Sequence, residues 1–274
     1  MPSDPFWTHY HAAQALHKAG DFDGAAAEYR SALQQPGIDL FIDYARLSLC
    51  LAYRAQGKLA EALDGYRGFD RLLGKPYPAV QRSRFFYQGC LHFAVGDLRA
   101  GRAAHNKLLD LLTRPDTPRD YIPEFLHPAD LEFAVQDCDR RGNRFGRALA
   151  EKARGDWPEA IADFEAACDA LPDRPALRDW LHAARILQPG FPNPYNPERL
   201  LPGVEYMAFD YDEDAAAVRV TRYAAGAPTL TQTLARAEGV RLHEQLSRSR
   251  GWFLLRSQSH KEGSSHYFAN VERG

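Results

Sequence analysis

The sequence predicts a mostly α-helical solenoid followed by a small α+β domain, and three observations carry that expectation. A helix-turn-helix pattern centred on a glycine recurs at Gly20, Gly57, Gly96 and Gly155. A stretch holding Pro189, Pro192, Pro194, Pro197 and Pro202 then excludes regular helix or central strand over 188–203. Beyond it the hydrophobic period falls from the helical value to two. At 274 residues the chain has room for two domains of about 100–200 residues each.

The clearest copy of the helical unit runs from Gly155 to Pro172. Ala160, Phe164 and Ala167 follow at four- and three-residue steps, so small and large groups share one stripe of a helix built to nest closely. Asp156 and Glu159 have capping-box spacing, with Trp157 and Pro158 in the first turn. Gly155 ends the preceding helix and Pro172 stops this one, giving a unit over 141–174. In its first helix Ala148 fits the small position, whereas Arg147 and Glu151 stand where bulky apolar residues are expected.

Three earlier copies share the pattern. Ala13, Leu16, Gly20, Phe22, Ala25, Tyr29 and Ala32 define a repeat over 6–39, opened by Asp4-Pro5. Leu49, Cys50, Tyr53, Gly57, Leu59, Ala62 and Tyr66 define a second over 43–76, with Phe69 in place of the last small residue. Gly89, His92, Gly96, Leu98 and Gly101 mark a third over 82–115, where His105 and Leu108 replace an aromatic and a small residue. The turn glycines are 37, 39 and 59 residues apart. The long third interval predicts an insertion, 116–140, made of a loop and one further helix from about 128 to 140. Leu177, Trp180, Leu181, Ala184 and Leu187 predict an amphipathic helix over 175–187 that caps the last repeat and closes a helical domain of 1–187.

These spacings and the small, bulky, turn, bulky, small, aromatic, small order resemble the tetratricopeptide repeat family. The resemblance implies stacked helical hairpins whose first helices line a concave groove for a peptide or helix of another protein. Carried over by position, the groove wall comprises Trp7, Tyr10, His11, Gln14 and His17; Tyr44, Leu47, Leu51 and Arg54; Phe86, Tyr87, Cys90 and Phe93; and Phe145, Leu149 and Lys152. The carboxylate-gripping variant of the family uses Lys, Arg and Asn on this wall, so Tyr10, Gln14, Leu47, Leu51, Phe86 and Cys90 disfavour chaperone-tail binding. An apolar wall of this extent is either open to a partner or filled from within by the insertion or the C-terminal domain.

The C-terminal domain, 204–274, reads as ββαββ. Glu205–Tyr211 and Ala217–Tyr223 alternate as two strands around Asp212-Glu213-Asp214. Thr229–Arg248 has a helical composition broken at Gly239. Trp252–Gln258 and His266–Glu272 form a second hairpin around Lys261-Glu262-Gly263-Ser264. At this size the domain is expected to lean on the solenoid for stability.

Composition narrows the function. A net charge of -2, with charge balanced also within 204–274, disfavours nucleic acid and anionic membranes as partners. Trp252, Phe253, Arg256, Tyr267 and Phe268 interleave aromatic and basic groups without the glycine-spaced pattern of an RNA-binding sheet. Neither a secretory leader nor a stretch of ~20 apolar residues is present, which predicts a cytoplasmic protein, and the Arg- and Ala-rich usage is that of a GC-rich bacterial genome. Cys50, Cys90, Cys138 and Cys168 are widely spaced and read as reduced, mostly buried thiols. His9, His11 and His17, and the Cys90/His92 pair, supply no set of three or four converging ligands, so no metal and no cofactor is expected. No phosphate loop, nucleophile elbow or zinc-protease helix occurs, so no catalytic residue is assigned. The expected function is a scaffold binding another protein or peptide, with homo-oligomerisation left open. The alternative is an enzyme, or an enzyme's accessory subunit, in which the solenoid presents a peptide to His260, His266 or Arg256.

Overall fold

The computed structural model of the protein describes residues 5–37, 39–69, 78–114, 117–119, 121, 123, 127–139, 143–188, 203–212, 216–224, 227–249, 251–260 and 263–271. The chain divides into two compact units, Met1–Leu111 with Ile122–Asp156, and Leu112–Tyr121 with Trp157–Gly274. No helix among the described residues is long and apolar enough to cross a membrane.

The first unit is built of helices α1 (Pro5–Lys18), α2 (Phe22–Leu33), α3 (Asp39–Ala55), α4 (Leu59–Phe69), α5 (Pro78–Ala94), α6 (Leu98–Leu112), α7 (Pro128–Asp139) and α8 (Arg144–Arg154). Each repeat turn is made alike. Gly20, Gly57, Gly96 and Gly155 take φ of +83°, +76°, +84° and +83°, a left-handed conformation that costs glycine nothing. Two backbone bonds close each turn: Gly20 N–H donates to the His17 carbonyl and Asp21 N–H to Leu16, and the same pair recurs at Gly57/Lys58, Gly96/Asp97 and Gly155/Asp156. This Schellman closure satisfies carbonyls that the helix end leaves unpaired. Asp21, Asp97 and Asn143 then cap the following helices by accepting from the N–H three residues on, at 2.9, 3.0 and 3.0 Å.

These turns make α1/α2 and α3/α4 into hairpins, with α2 against α3, α4 against α5 and α3 against α5. The arrangement is TPR-like. Small residues allow the close approach: Ala13, Ala25, Ala32 and Ala45 are buried with Phe6, Tyr10 and Tyr29 in one core cluster. The helix expected within the insertion is α7, and it packs on α3, α5 and α8.

The second unit holds α9 (Trp157–Ala170), α10 (Ala176–Leu187), β1 (Val204–Asp212), β2 (Ala217–Ala224), β3 (Ala227–Ala235), α11 (Arg236–Arg248), β4 (Trp252–His260) and β5 (Gly263–Val271). The expected ββαββ order is corrected here, because 227–235 is a third strand and the helix starts only at Arg236. Thr229, Thr231 and Thr233 alternate with Leu230, Gln232 and Leu234, and β-branched side chains on alternate positions favour an extended edge strand over a helix. All five strands are antiparallel neighbours in the order β3-β2-β1-β5-β4.

Helices cover both faces of this sheet. Ala183, Ile186 and Leu187 of α10 are buried with Tyr206, Ala208, Tyr223, Phe253, Leu255 and Ala269 on one face. On the other, Leu242 and Leu246 of α11 pack with Phe209, Val218, Val220, Leu254 and Phe268. Gly239 lies where α11 comes closest to the sheet: a Cβ there would sit 2.8 Å from that of Val218. Helix α10, expected as a solenoid cap, thus contributes to the core of the sheet. Arg119 of the inserted segment joins the same unit, its N–H donating to Leu254 O at 2.9 Å beside the bulge between Leu254 and Arg256, and its guanidinium to Leu112 O at 3.0 Å. The proline-rich joint at 189–202 and the turn residues Glu213, Asp214, Lys261 and Glu262 lie outside the described residues.

Candidate functional site

Counting back from each turn glycine aligns the wall residues of the first helices. Ten residues before it stand Tyr10, Leu47, Phe86 and Phe145; six before, Gln14, Leu51, Cys90 and Leu149; three before, His17, Arg54, Phe93 and Lys152. Trp7 and Tyr44 share the step at thirteen, His11 and Tyr87 that at nine. All belong to the first compact unit.

Most of this wall is buried. Tyr10, His17, Leu47, Leu51, Phe86, Tyr87, Cys90, Phe93, Phe145, Leu149 and Lys152 are all shielded from solvent. Trp7, Gln14, Tyr44 and Arg54 are partly buried and His11 is exposed.

Helix α7 accounts for much of the shielding. Its Asp130 accepts from His17 at 3.1 Å, with both side chains dry. Two turns later Asp137 takes a bidentate grip on Arg54, at 2.9 and 3.2 Å, and the guanidinium also lies 4.4 Å from the centre of the Phe133 ring. Arg154 of α8 reaches Glu132 at 3.6 Å and Glu151 at 2.6 Å. That contact explains how Glu151 stands at an apolar position: its buried carboxylate is met by the guanidinium of exposed Arg154. Between α3, α5 and α7 a cavity of about 20 Å³ is lined by Leu51, Arg54, Tyr87, Cys90, Phe133 and Asp137.

The histidines of α1 do not converge. His17 is taken up by Asp130, while His9 contacts Glu28 at 2.7 Å. Cys90 is joined by Cys138 and His105 of neighbouring helices, the three ligand atoms within 4.8 Å of one another. Burial raises the Cys90 thiol well above its usual range, raises Cys50 to about 12, and lowers His105. Cys50, Cys90 and Cys138 are buried free thiols, and Cys168 is partly buried.

The remaining edge of the wall is different in kind. Trp7 stacks on His11 at 5.4 Å and meets Phe41 edge-on at 4.5 Å, while Gln14 donates to the Tyr10 hydroxyl at 3.1 Å. With Tyr44 and Phe41 also partly buried, the start of α1 and of α3 keeps an aromatic patch in reach of solvent.

In the second unit His266 meets His243 of α11, ring centres 5.0 Å apart, and lies near Ser257 at 3.2 Å and Ser264 at 3.4 Å. Burial first, and His243 second, push His266 down to about 4. A base that weak is poorly matched to proton abstraction at neutral pH. The side chain of His260 lies outside the described residues, and Arg256 of β4 stands opposite Tyr267 of β5.

Asp130, Asp137, His105 and Cys138 carry the geometry of the wall yet were absent from the sequence reading of it. The signal was present in part: two acids seven residues apart on α7 match nitrogen-bearing side chains, His17 and Arg54, three residues before successive turn glycines. No family model matches the chain, and no curated protein does. Among solved structures the chain is similar to a tetratricopeptide repeat protein from Parabacteroides merdae ATCC 43184, at 17% identity and a TM-score of 0.33, over 71% of this chain and 89% of that one. A likeness this weak adds nothing to the helical pairing already described.

Proposed function

We propose that the protein is a bacterial cytoplasmic scaffold that binds a segment of another protein at the open edge of its helical wall. The observation that carries this reading is the aromatic patch of Trp7, His11 and Tyr44 with the neighbouring Phe41, which keeps solvent access while most of the wall is buried. Tryptophan and tyrosine give large contact area at low entropic cost, which suits them to anchor a partner. The buried wall residues, from Leu47 to Lys152, serve here as the support that fixes this edge, with α7 as the helix lying in the groove.

A photo-crosslinking side chain placed at His11 in the native cell should trap one protein, and the same group at exposed Arg99 on α6 should not. Trp7→Ala should weaken the purified partner by about 2 kcal/mol, roughly 30-fold. Equal trapping at positions 11 and 99, or affinity unchanged by Trp7→Ala, sinks the reading. The buried wall supplies the contrast. Leu51→Glu and Phe86→Glu should lower Tm by several degrees, since an unpaired charge would replace a dry side chain.

A further inference from the structure

Three side chains from three helices meet in the dry interior of the first unit. Cys90 of α5 and Cys138 of α7 bring their Sγ atoms to 3.5 Å, and His105 Nε2 of α6 lies 4.0 Å from Cys90 Sγ. All three residues are buried. A tetrahedral zinc ion, with Zn–S about 2.3 Å and Zn–N about 2.1 Å, needs ligand atoms roughly 3.5–3.8 Å apart. The Cys90–Cys138 and Cys90–His105 separations stand within a few tenths of an ångström of that spacing, and all three ligand atoms lie within 4.8 Å of one another.

The imidazole is held in a space made for it. A Cβ on Gly89 would fall 1.9 Å from its Cδ2, and one on Gly146 would fall 2.6 Å from its Cε1 and 3.0 Å from Cys138 Sγ. Glycine on two facing helices therefore leaves a slot that only the ring fills. Polar groups around it set the outer shell. Nε2 lies 2.9 Å from the Phe86 carbonyl, and Asn143, whose Oδ1 accepts from Gly146 N–H at 3.0 Å, directs its amide nitrogen at Nδ1. Ligand histidines commonly donate the N–H of the ring nitrogen that does not bind metal to a carbonyl or carboxylate. Coordination through Nδ1 keeps the Nε2–H donation to the Phe86 carbonyl and displaces the Asn143 amide, whereas coordination through Nε2 puts the proton on Nδ1 and requires that amide to turn its oxygen toward it.

We propose that Cys90, His105 and Cys138 form a zinc(II) site that fastens α7 to α5 and α6. Charge favours this ion. Two thiolates, a neutral imidazole and Zn²⁺ sum to zero, so the assembled centre is neutral in its apolar surroundings, whereas copper(I) would leave a buried net negative charge. Cys90 also lines the cavity of about 20 Å³ beside Arg54 and Asp137, which has the volume of one water. Binding releases the two thiol protons to solvent, without any redox step.

The test uses the full chain, stripped by chelator under reductant and titrated with zinc against a competing chelator. One equivalent should bind with Kd below ~0.1 μM. Cobalt(II) in its place should give thiolate-to-metal charge-transfer absorption with the intensity of two thiolates, a readout that needs no variant. Cys90→Ser and Cys138→Ser should each weaken zinc by more than ~100-fold, and Cys168→Ser should leave it unchanged. Absence of binding tighter than ~10 μM overturns the proposal. So does cobalt absorption that survives both Cys90→Ser and Cys138→Ser, a preference for copper(I) with no zinc uptake, or a Cys90–Cys138 disulfide in metal-free protein isolated without reductant.

Discussion

The two units house ionisable groups under their surfaces in opposite ways. On the wall of the first, nitrogen donors meet carboxylates: His17 with Asp130 and Arg54 with Asp137. Under α11 in the second, two histidines face each other, and burial keeps them neutral: His266 falls to about 4 and His243 is lowered as well. Pairing fixes a helix in register, because each buried carboxylate of α7 loses its partner if the helix shifts by a turn. Neutralisation fixes nothing and makes the packing sensitive to protons. The wall pairs therefore fix the position of α7, whereas the histidine pair makes the packing under α11 sensitive to acid.

Three measurements would break or sharpen that contrast. The largest effect is expected from Asp137→Ala, which leaves a largely buried guanidinium without its carboxylate. Its cost should be about 3 kcal/mol, or roughly 6–12 °C in Tm. The double variant Arg54→Met/Asp137→Leu should lose less than half as much, since it removes both charges. A cost for Asp137→Ala below about 1 kcal/mol would show that the pair does not hold α7.

A middle effect should come from acid. His266 is neutral in the folded protein, with its pKa lowered from 6.5 to about 4, while the unfolded chain takes up a proton in that window. Its stabilising contribution is thus full above about 6.5 and lost as pH falls toward 4. Because the ring is partly exposed the loss should be only about 1 kcal/mol. His266→Gln should flatten the Tm profile between pH 7 and 4.5, and a variant as acid-sensitive as the wild type would remove the histidine pair from the comparison.

The smallest effect belongs to pairs in water. Arg67 and Asp64 are 2.8 Å apart and both mostly exposed, so Arg67→Ala should change stability by less than about 0.5 kcal/mol. A larger loss by denaturant titration would mean that burial is not what separates the wall pairs from surface ones.

What was legible in the sequence follows from how local each signal is. Gly20, Gly57, Gly96 and Gly155 mark turns because a left-handed residue is a local demand. Helix α7 was legible for the same reason, from Pro128 and the periodic run after it. Its place along the wall was not, since that depends on Asp130 and Asp137 finding partners more than 80 residues away. Separations of 15 to 48 residues hid Cys90, His105 and Cys138 from one another, and the nearer His92 offered itself instead. Strand β3 was misread because Leu, Gln and Ala suit a helix, while pairing with β2 selects the extended form.

The contact between Gly239 and Val218 bears on how this sequence can diverge. Glycine inside a helix is about 1 kcal/mol worse than alanine, yet here a methyl would strike a strand side chain 2.8 Å away. The two positions form one volume shared across 21 residues of sequence. In descendants of this chain a side chain at 239 should be found only where 218 has lost its own Cβ or the strand has moved away, and Val218→Gly, which removes the atom 2.8 Å away, should turn Gly239→Ala from a harmful exchange into a helpful one.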